Sequence, residues 1–335
     1  MSNIIILSHG DGGILTHNLV QDIFLKYFNN EYLNKLTDSV FLNSLKGEGI
    51  VVSTDSFVVS PIFFPGGDIG KLAVCGTVND LAVSGARPRF LTVGFILEEG
   101  LLISELEEVV VSMARTAEEA GVVIVAGDTK VVEKGHGDKI FINTTGIGTA
   151  VDGINLGYES VKPGDKIVIN GSIGDHGLTV MSRQQELGLG EGLKSDCAPL
   201  NQIIHKVLKE ITGVRIMRDP TRGGLATTLK EIAEFSGLNF TIFEEQVPIK
   251  EDVRRTAEML GLDPLYLANE GKFITIVESE QAEALVKLLR EHPLGKEAEI
   301  IGEVREGNGK VYLKTFFGGT KYLRYMAGAP LPRIC

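Results

Sequence analysis

The chain has 335 residues, of which 23% are charged and 43% hydrophobic, with a net charge of −11 at pH 7. The length suits two domains with substantial cores, and the composition excludes a disordered or fibrous chain. The acidic balance argues against nucleic acid or anionic membrane as a default partner, because both demand clustered Lys and Arg.

The three cysteines, Cys75, Cys197 and Cys335, are far apart and form no CxxC pair. A zinc site or disulfide framework is therefore not expected, and a reducing cytoplasm fits. Met1-Ser2-Asn3 has no basic region, and no apolar run reaches membrane-spanning length.

In chain order, the Gly-rich stretch His9-Gly10-Asp11-Gly12-Gly13 comes first. An amphipathic helix is predicted after it, with Leu15, Leu19, Val20, Ile23, Phe24, Tyr27 and Phe28 on one face. Gly49 to Thr54 predicts a buried strand ending at Asp55. Ile69 to Gly85 predicts a closely packed helix rich in small residues, and Leu91 to Leu97 another strand. Ser104 and Glu107 make a capping box for a helix that stops at Gly121. Strands follow at Val122–Ala126, ending in Gly127-Asp128-Thr129, and at Ile140–Ile147.

The turn signal Val161-Lys162-Pro163-Gly164-Asp165 precedes a strand at Lys166–Asn170 and places a domain boundary near Gly153–Ser160. Beyond it, helices are predicted at Pro199–Ile211, Gly223–Phe235, Lys250–Leu260 and Ser279–Arg290. Strands are predicted at Phe240–Phe243, Phe273–Val277, Ile300–Val304 and Val311–Leu313. The expected fold is mixed α/β in two lobes, residues 1–155 and 156–320, with a mobile tail at 321–335.

That tail ends Pro330-Leu331-Pro332-Arg333-Ile334-Cys335. Its prolines disfavour helix, and from Ala327 it can span roughly 30 Å. Such a tail can swing a thiol between sites, although some residue must end every chain.

Thr54-Asp55-Ser56 and Gly127-Asp128-Thr129 share one shape: an apolar run, then Asp, then a hydroxyl residue. Asp80 follows Asn79 in the small-residue helix, and Asp38 lies in Leu36-Thr37-Asp38-Ser39-Val40. Any single Asp of this kind serves equally as a turn former. The four together suit Mg²⁺, which takes carboxylate oxygens, water and phosphates. The segment containing Gly10, Gly12 and Gly13 can wrap phosphates with backbone N–H groups, although it is no Walker motif. Asp219-Pro220-Thr221-Arg222-Gly223-Gly224 opens a helix whose N–H groups favour anions. His176, in Gly174-Asp175-His176-Gly177, can titrate near neutrality or simply be structural. Lys134 and Glu270 are polar residues placed in loops, and Cys75 and Cys197 read as structural.

Taken together, Asp55-Ser56-Phe57, Gly67-Asp68-Ile69-Gly70-Lys71, Val78-Asn79-Asp80-Leu81, Ala126-Gly127-Asp128-Thr129-Lys130 and Arg218-Asp219-Pro220-Thr221-Arg222-Gly223-Gly224 resemble the aminoimidazole ribonucleotide synthetase-like ATP-binding superfamily. The resemblance covers essentially the whole chain. Val131-Val132-Glu133-Lys134-Gly135 and the terminal Pro332-Arg333-Ile334-Cys335 resemble its branch that matures [NiFe]-hydrogenases. Cys75 departs from the Asn expected in that pattern, and Thr37 from an acid.

The resemblance implies a two-lobed fold with mixed sheets flanked by helices, dimerising through strands of the first lobe. It also implies that the carbamoyltransferase HypF loads a carbamoyl group onto Cys335. ATP then dehydrates the thiocarboxamide to a thiocyanate, and the cyano group passes to iron on a HypC–HypD complex. Asp55, Asp80, Asp128 and Asp38 would hold Mg²⁺. Gly10, Gly12, Gly13, Lys71, Asn79, Thr129, Asp219 and Arg222 would contact ATP. Lys134 or Glu270, with His176 third, would take protons from the amide. Arg333 would support the thiolate or clamp the docked tail. The competing readings are a phosphotransferase acting on a free small molecule and a scaffold that binds ATP without turnover.

Overall fold

The computed structural model describes residues 13–19, 21, 40–42, 49–185, 192–326 and 333–335. The first helix, α1, spans Ile14–Leu19. The first half then contributes strands β1 (Val40–Leu42), β2 (Ile50–Phe57), β3 (Phe63–Phe64), β4 (Gly67–Asp68), β5 (Ala86–Glu98), β6 (Val123–Val132) and β7 (Ile140–Ala150). Its longer helices are α2 (Ile69–Val83) and α3 (Ile103–Ala120). Apart from the β3–β4 ribbon, the strands form one sheet in the order β1-β2-β7-β5-β6. All its pairings are antiparallel except β5 with β6, which are joined by α3 as a parallel pair requires.

Helix α2 is the hinge of the packing. Asp68 caps it by accepting from the N–H groups of Gly70 and Lys71, and Ser112 of α3 donates to the same carboxylate. The helix is apolar nearly all round, as expected of an element packed on both sides. One side meets β2, β5 and β7, while α5 (Asn201–Glu210) lies against it from the second half.

The second half adds β8 (Lys166–Ile169), α4 (Asp175–Gln184), β9 (Val214–Arg218), α6 (Gly224–Ser236) and β10 (Asn239–Phe243). After these come α7 (Glu251–Leu260), β11 (Ile274–Val277), α8 (Ser279–Arg290), β12 (Glu299–Arg305), β13 (Val311–Lys314) and β14 (Thr320–Leu323). Its sheet runs β14-β13-β10-β12-β8-β11-β9. Ile167, Leu225, Phe240, Ile274 and Ile301 fill one of its cores, and Val168, Ile204, Phe273 and Leu285 another, which extends to Ala82 and Val83 of α2. The first-half core of Phe57, Leu72, Leu91, Val109 and Ile142 continues through Val180 and Ala268 to Ile334 at the chain's end.

Several expectations need correction. Strand β2 continues past Asp55 to Phe57, and β6 past Asp128 to Val132, so both acids lie inside hydrogen-bonded ladders. The capping box is absent: α3 starts after Leu102 with no side-chain cap, and Ser104 lies within its first turn. Gly121 does end α3, at φ 69°. His176 sits in a helix, not a turn. The predicted helical face beyond Leu19 falls outside the described residues. Among the described residues, no helix is long and apolar enough to cross a membrane.

Candidate active site

The last three residues are docked against the body of the protein. The N–H of Ser60 donates to the Arg333 carbonyl and that of Val58 to a main-chain oxygen of Cys335, both at 3.2 Å. Gln184 Nε2 donates to the Arg333 carbonyl at 3.1 Å, and His176 Nε2 lies 2.9 Å from the Ile334 carbonyl oxygen. Arg333 Nε donates to the Val58 carbonyl at 2.9 Å, and its guanidinium pairs with Asp138 and lies over the Phe141 ring. Ile334 is buried in the first-half core, with Cys335 packed at its edge.

Docking places Cys335 among charges from both halves. Burial pushes its thiol up to about 12; Arg222 opposes that shift, while Glu270, Asp55 and Asp219 add to it. Arg222 is held more firmly protonated than usual, chiefly by Cys335 and then by Asp55, Glu270 and Asp80. Glu270 is buried, its Oε1 meets no hydrogen-bond donor among the described residues, and its carboxyl is raised well above the ordinary value. Burial is the main cause, followed by Cys197, Asp219, Asp196 and Asp55. A carboxyl raised in this way holds its proton more tightly than an ordinary one and is a stronger base once ionised.

The loop carrying Glu270 is fixed by Asp196. Its carboxylate accepts from the N–H groups of Glu270 and Gly271 and from Lys272 Nζ. On the other side, Asn79 of α2 donates to the carbonyls of Ala198 and Glu270 and accepts from the Leu200 N–H. Asn79 is thus a buried strut between the halves, a different use from the expected nucleotide contact.

The acids expected around a metal separate into two sets. Asp55 Oδ2 lies 3.7 Å from where a side-chain carbon on Gly76 would stand, and Asp80 is one turn further along α2. Ser53, on the same strand face as Asp55, donates to Asp80 at 2.8 Å. Asp55 and Asp80 therefore share one face, and both act on Arg222. Burial raises the Asp55 carboxyl, against Arg222 and the Ser56 N–H.

Asp128 is not with them. Asp55 aligns with Thr144, Thr144 with Val93 and Val93 with Gly127, three strand steps or roughly 14 Å away. Asp128 follows Gly127 and so points to the opposite face, where it is exposed and paired with Lys130. The Lys130 hydrogen bond lowers its carboxyl, with help from the Thr129 N–H. Thr129 is exposed on the same strand. Among the described residues, no three His, Cys, Asp or Glu side chains gather in a metal-holding cluster.

The remaining expected residues fall in several places. Asp219 is buried and acts on both Cys335 and Glu270. Lys71, in the first turn of α2, donates to the Gly66 carbonyl at 3.1 Å. Lys134 lies on the exposed turn after β6, where its charge acts on Glu98, four residues from Asp138. His176 is lowered by its burial and both ring nitrogens are engaged, so it holds the tail rather than standing free as a base. Gly13 is buried just before α1. Gly10, Gly12 and Asp38 lie outside the described residues.

Comparison with known proteins identifies the family. The family models for AIR synthase related proteins match residues 37–150 (N-terminal domain) and 162–314 (C-terminal domain). Carbamoyl dehydratase HypE of Azotobacter vinelandii is 47% identical over 98% of this chain and 96% of its own. The chain belongs to the HypE carbamoyl dehydratase family. A crystal structure of the hydrogenase maturation protein HypE in complex with ATP is 50% identical, with a TM-score of 0.84 over 99% of this chain and 100% of that one. HypE in a HypE–HypF complex is 48% identical, with a TM-score of 0.87 over 92% and 99%. Thiamine monophosphate kinase of Aquifex aeolicus, 18% identical with a TM-score of 0.66 over 89% and 97%, shares the fold alone.

Sequence reasoning overlooked the residues that support the tail and the Glu270 loop: Asp138, Gln184, Ser195 and Asp196. Each is an ordinary polar residue in sequence, and its importance rests on contacts made across a long stretch of chain.

Proposed function

We propose that this chain is an ATP-dependent carbamoyl dehydratase whose substrate is a thiocarboxamide on its own Cys335. One observation carries the reading: the terminal thiol is docked beside Arg222, Asp55, Asp219 and a buried Glu270 whose Oε1 has no hydrogen-bond donor among the described residues. The reaction converts S–C(=O)–NH₂ to S–C≡N. Phosphoryl transfer from ATP to the carbamoyl oxygen lets that oxygen depart as phosphate, and two N–H protons leave for protein and solvent.

Glu270 is the base we assign to the buried end of this path. Its desolvated carboxylate binds a proton more strongly than an ordinary one. Arg222 places a positive charge beside the docked terminus and offsets the surrounding acids. Asp219 fixes the same corner, next to Pro220, whose carbonyl accepts from both N–H groups of Asn269. Lys134 remains a proposed second proton acceptor, reached through movement of its exposed turn.

Asp55 and Asp80 would hold Mg²⁺, which neutralises phosphate charge when bound; two carboxylates with nucleotide phosphates suffice for this ion. Asp128, on the other face, belongs to a different surface. Strand β6 leaves Val123, Ile124, Val125 and Val131 exposed on a sheet edge, which supports a homodimer formed through this strand. In this reading residues 1–155 bind nucleotide and dimerise, residues 156–320 complete the site, and residues 321–335 carry the substrate. HypF would load the tail, a HypC–HypD complex would accept the cyano group, and the cytoplasm would be the setting.

Cys335→Ala tests the assignment. ATP binding should persist while thiocyanate formation is lost. Phosphorylation of an added small molecule by that variant would favour the phosphotransferase reading instead.

A further inference from the structure

Residues 176, 180 and 184 of α4 are spaced i, i+4 and i+8 and lie on one helix face. All three meet the tail. His176 Nε2 reaches the Ile334 carbonyl, Val180 shares the apolar cluster of Ile334, and Gln184 donates to the Arg333 carbonyl. With Val58 on Cys335, each of the last three residues has a partner for its main-chain oxygen, and His176 is the partner of the middle one.

The neighbours of His176 settle which ring nitrogen carries the proton. Ser195 Oγ accepts from the Cys197 N–H at 3.1 Å and lies 2.8 Å from His176 Nδ1. The Ile334 carbonyl oxygen can only accept, so the ring nitrogen facing it carries the proton and Nδ1 is left to accept from the Ser195 hydroxyl. Nε2 therefore holds the imidazole proton and donates it to the Ile334 carbonyl. Complete burial and an edge-on contact with Phe64, 5.4 Å between centroids, keep the ring in this orientation.

We propose that His176 is a positioning residue that sets how deeply the tail docks. Its Nε2–H, oriented by Ser195, holds the Ile334 carbonyl so that Cys335, one residue further on, stands among Arg222, Asp55 and Glu270. Without that donor the buried Ile334 carbonyl of the docked tail would be left unpaired. This inference deepens the reading of Cys335 as substrate carrier and rests on it.

The test is iodoacetamide alkylation of Cys335 in the intact protein, without nucleotide or partner, followed by mass analysis of the C-terminal peptide. His176→Phe keeps the aromatic contact and removes the donor, and should raise the alkylation rate about tenfold. His176→Gln retains an N–H donor and should stay within about threefold of wild type. Nitrogen-15 spectra of the wild-type imidazole should show the Nε2–H form, with the Nε2 signal moving when residues 333–335 are deleted. Ser195→Ala, a second variant independent of the ring, should raise alkylation by about threefold. A wild-type rate in His176→Phe, equal rates in His176→Phe and His176→Gln, or an Nδ1–H tautomer would overturn the proposal. Because no ATP is present, these outcomes are independent of whether the chain dehydrates a carbamoyl group.

Discussion

The N–H of Val58 donates to a main-chain oxygen of Cys335, so the end of the chain is bonded to the segment leaving β2, three residues after Asp55. The strand that supplies an acid to the site thus also sets the height of the thiol. Arg333 strengthens the attachment by donating back to the Val58 carbonyl and pairing with Asp138.

Arg333→Ala removes that donor and the part-exposed ion pair. Each is worth up to about 1 kcal/mol, so tail undocking should rise about 10- to 30-fold. Cys335 should alkylate faster and single-turnover dehydration should slow. Asp138→Asn should give a smaller change in the same direction. Unchanged rates in Arg333→Ala would remove its role as a clamp.

Docking should weaken in alkali. The docked thiol lies at about 12, above the roughly 8.5 of a free cysteine. The docked state therefore binds the thiol proton more tightly, and its advantage is present below pH 8.5 and lost as pH rises towards 12. Each pH unit within that window should favour undocking about tenfold. Methyl signals of Ile334 should shift towards their exposed values between pH 8.5 and 10.5, and Cys335→Ser should abolish that dependence. Under the proposed function, loading by a partner would then proceed from the undocked tail, where thiolate is accessible.

Glu270→Gln should separate stability from activity. The carboxyl is raised in the folded chain, so stability falls as pH rises from about 4.5 towards the raised value, because the unfolded chain releases its proton first. Glutamine removes that loss, and the melting temperature at pH 7.5 should rise by roughly 2–4 °C. Dehydration should fall at least about 10²-fold. In the wild type, the dehydration rate should climb with pH through the raised value, and a flat profile would remove Glu270 as the base.

Gly224→Ala should cost stability for two reasons that act together. Gly224 has φ 61°, and an added side-chain carbon would stand 2.6 Å from the Leu267 carbonyl oxygen. A loss of roughly 2–4 kcal/mol is expected, measured by urea unfolding. The same change would displace the start of α6, and with it Arg222.

The two α/β halves were legible because their periodic segments are long, and α8 was placed to the residue at Ser279–Arg290. Asp55, Asp80, Asp219, Arg222 and Glu270 were legible as a group only through resemblance, since each alone looks like a turn or loop residue. The separation of Asp128 was not legible. It depends on strand register and on the alternation of side chains across a sheet, which local spacing does not reveal. Helix α4 was missed because Gly174 and Gly177 flank His176 and mimic a turn, although Gly174, at φ 86°, merely starts the helix. Arg333 stood out from its position beside the terminal residues, with thiolate support and tail clamping both open, whereas its partner Asp138 was hidden by a separation of 195 residues.

The most direct test is intact-mass measurement of the carbamoylated protein before and after Mg-ATP, with the change assigned by peptide mapping. The account predicts loss of one water from the peptide ending in Cys335, with release of phosphate. Consumption of ATP with the carbamoyl mass unchanged on that peptide would contradict it.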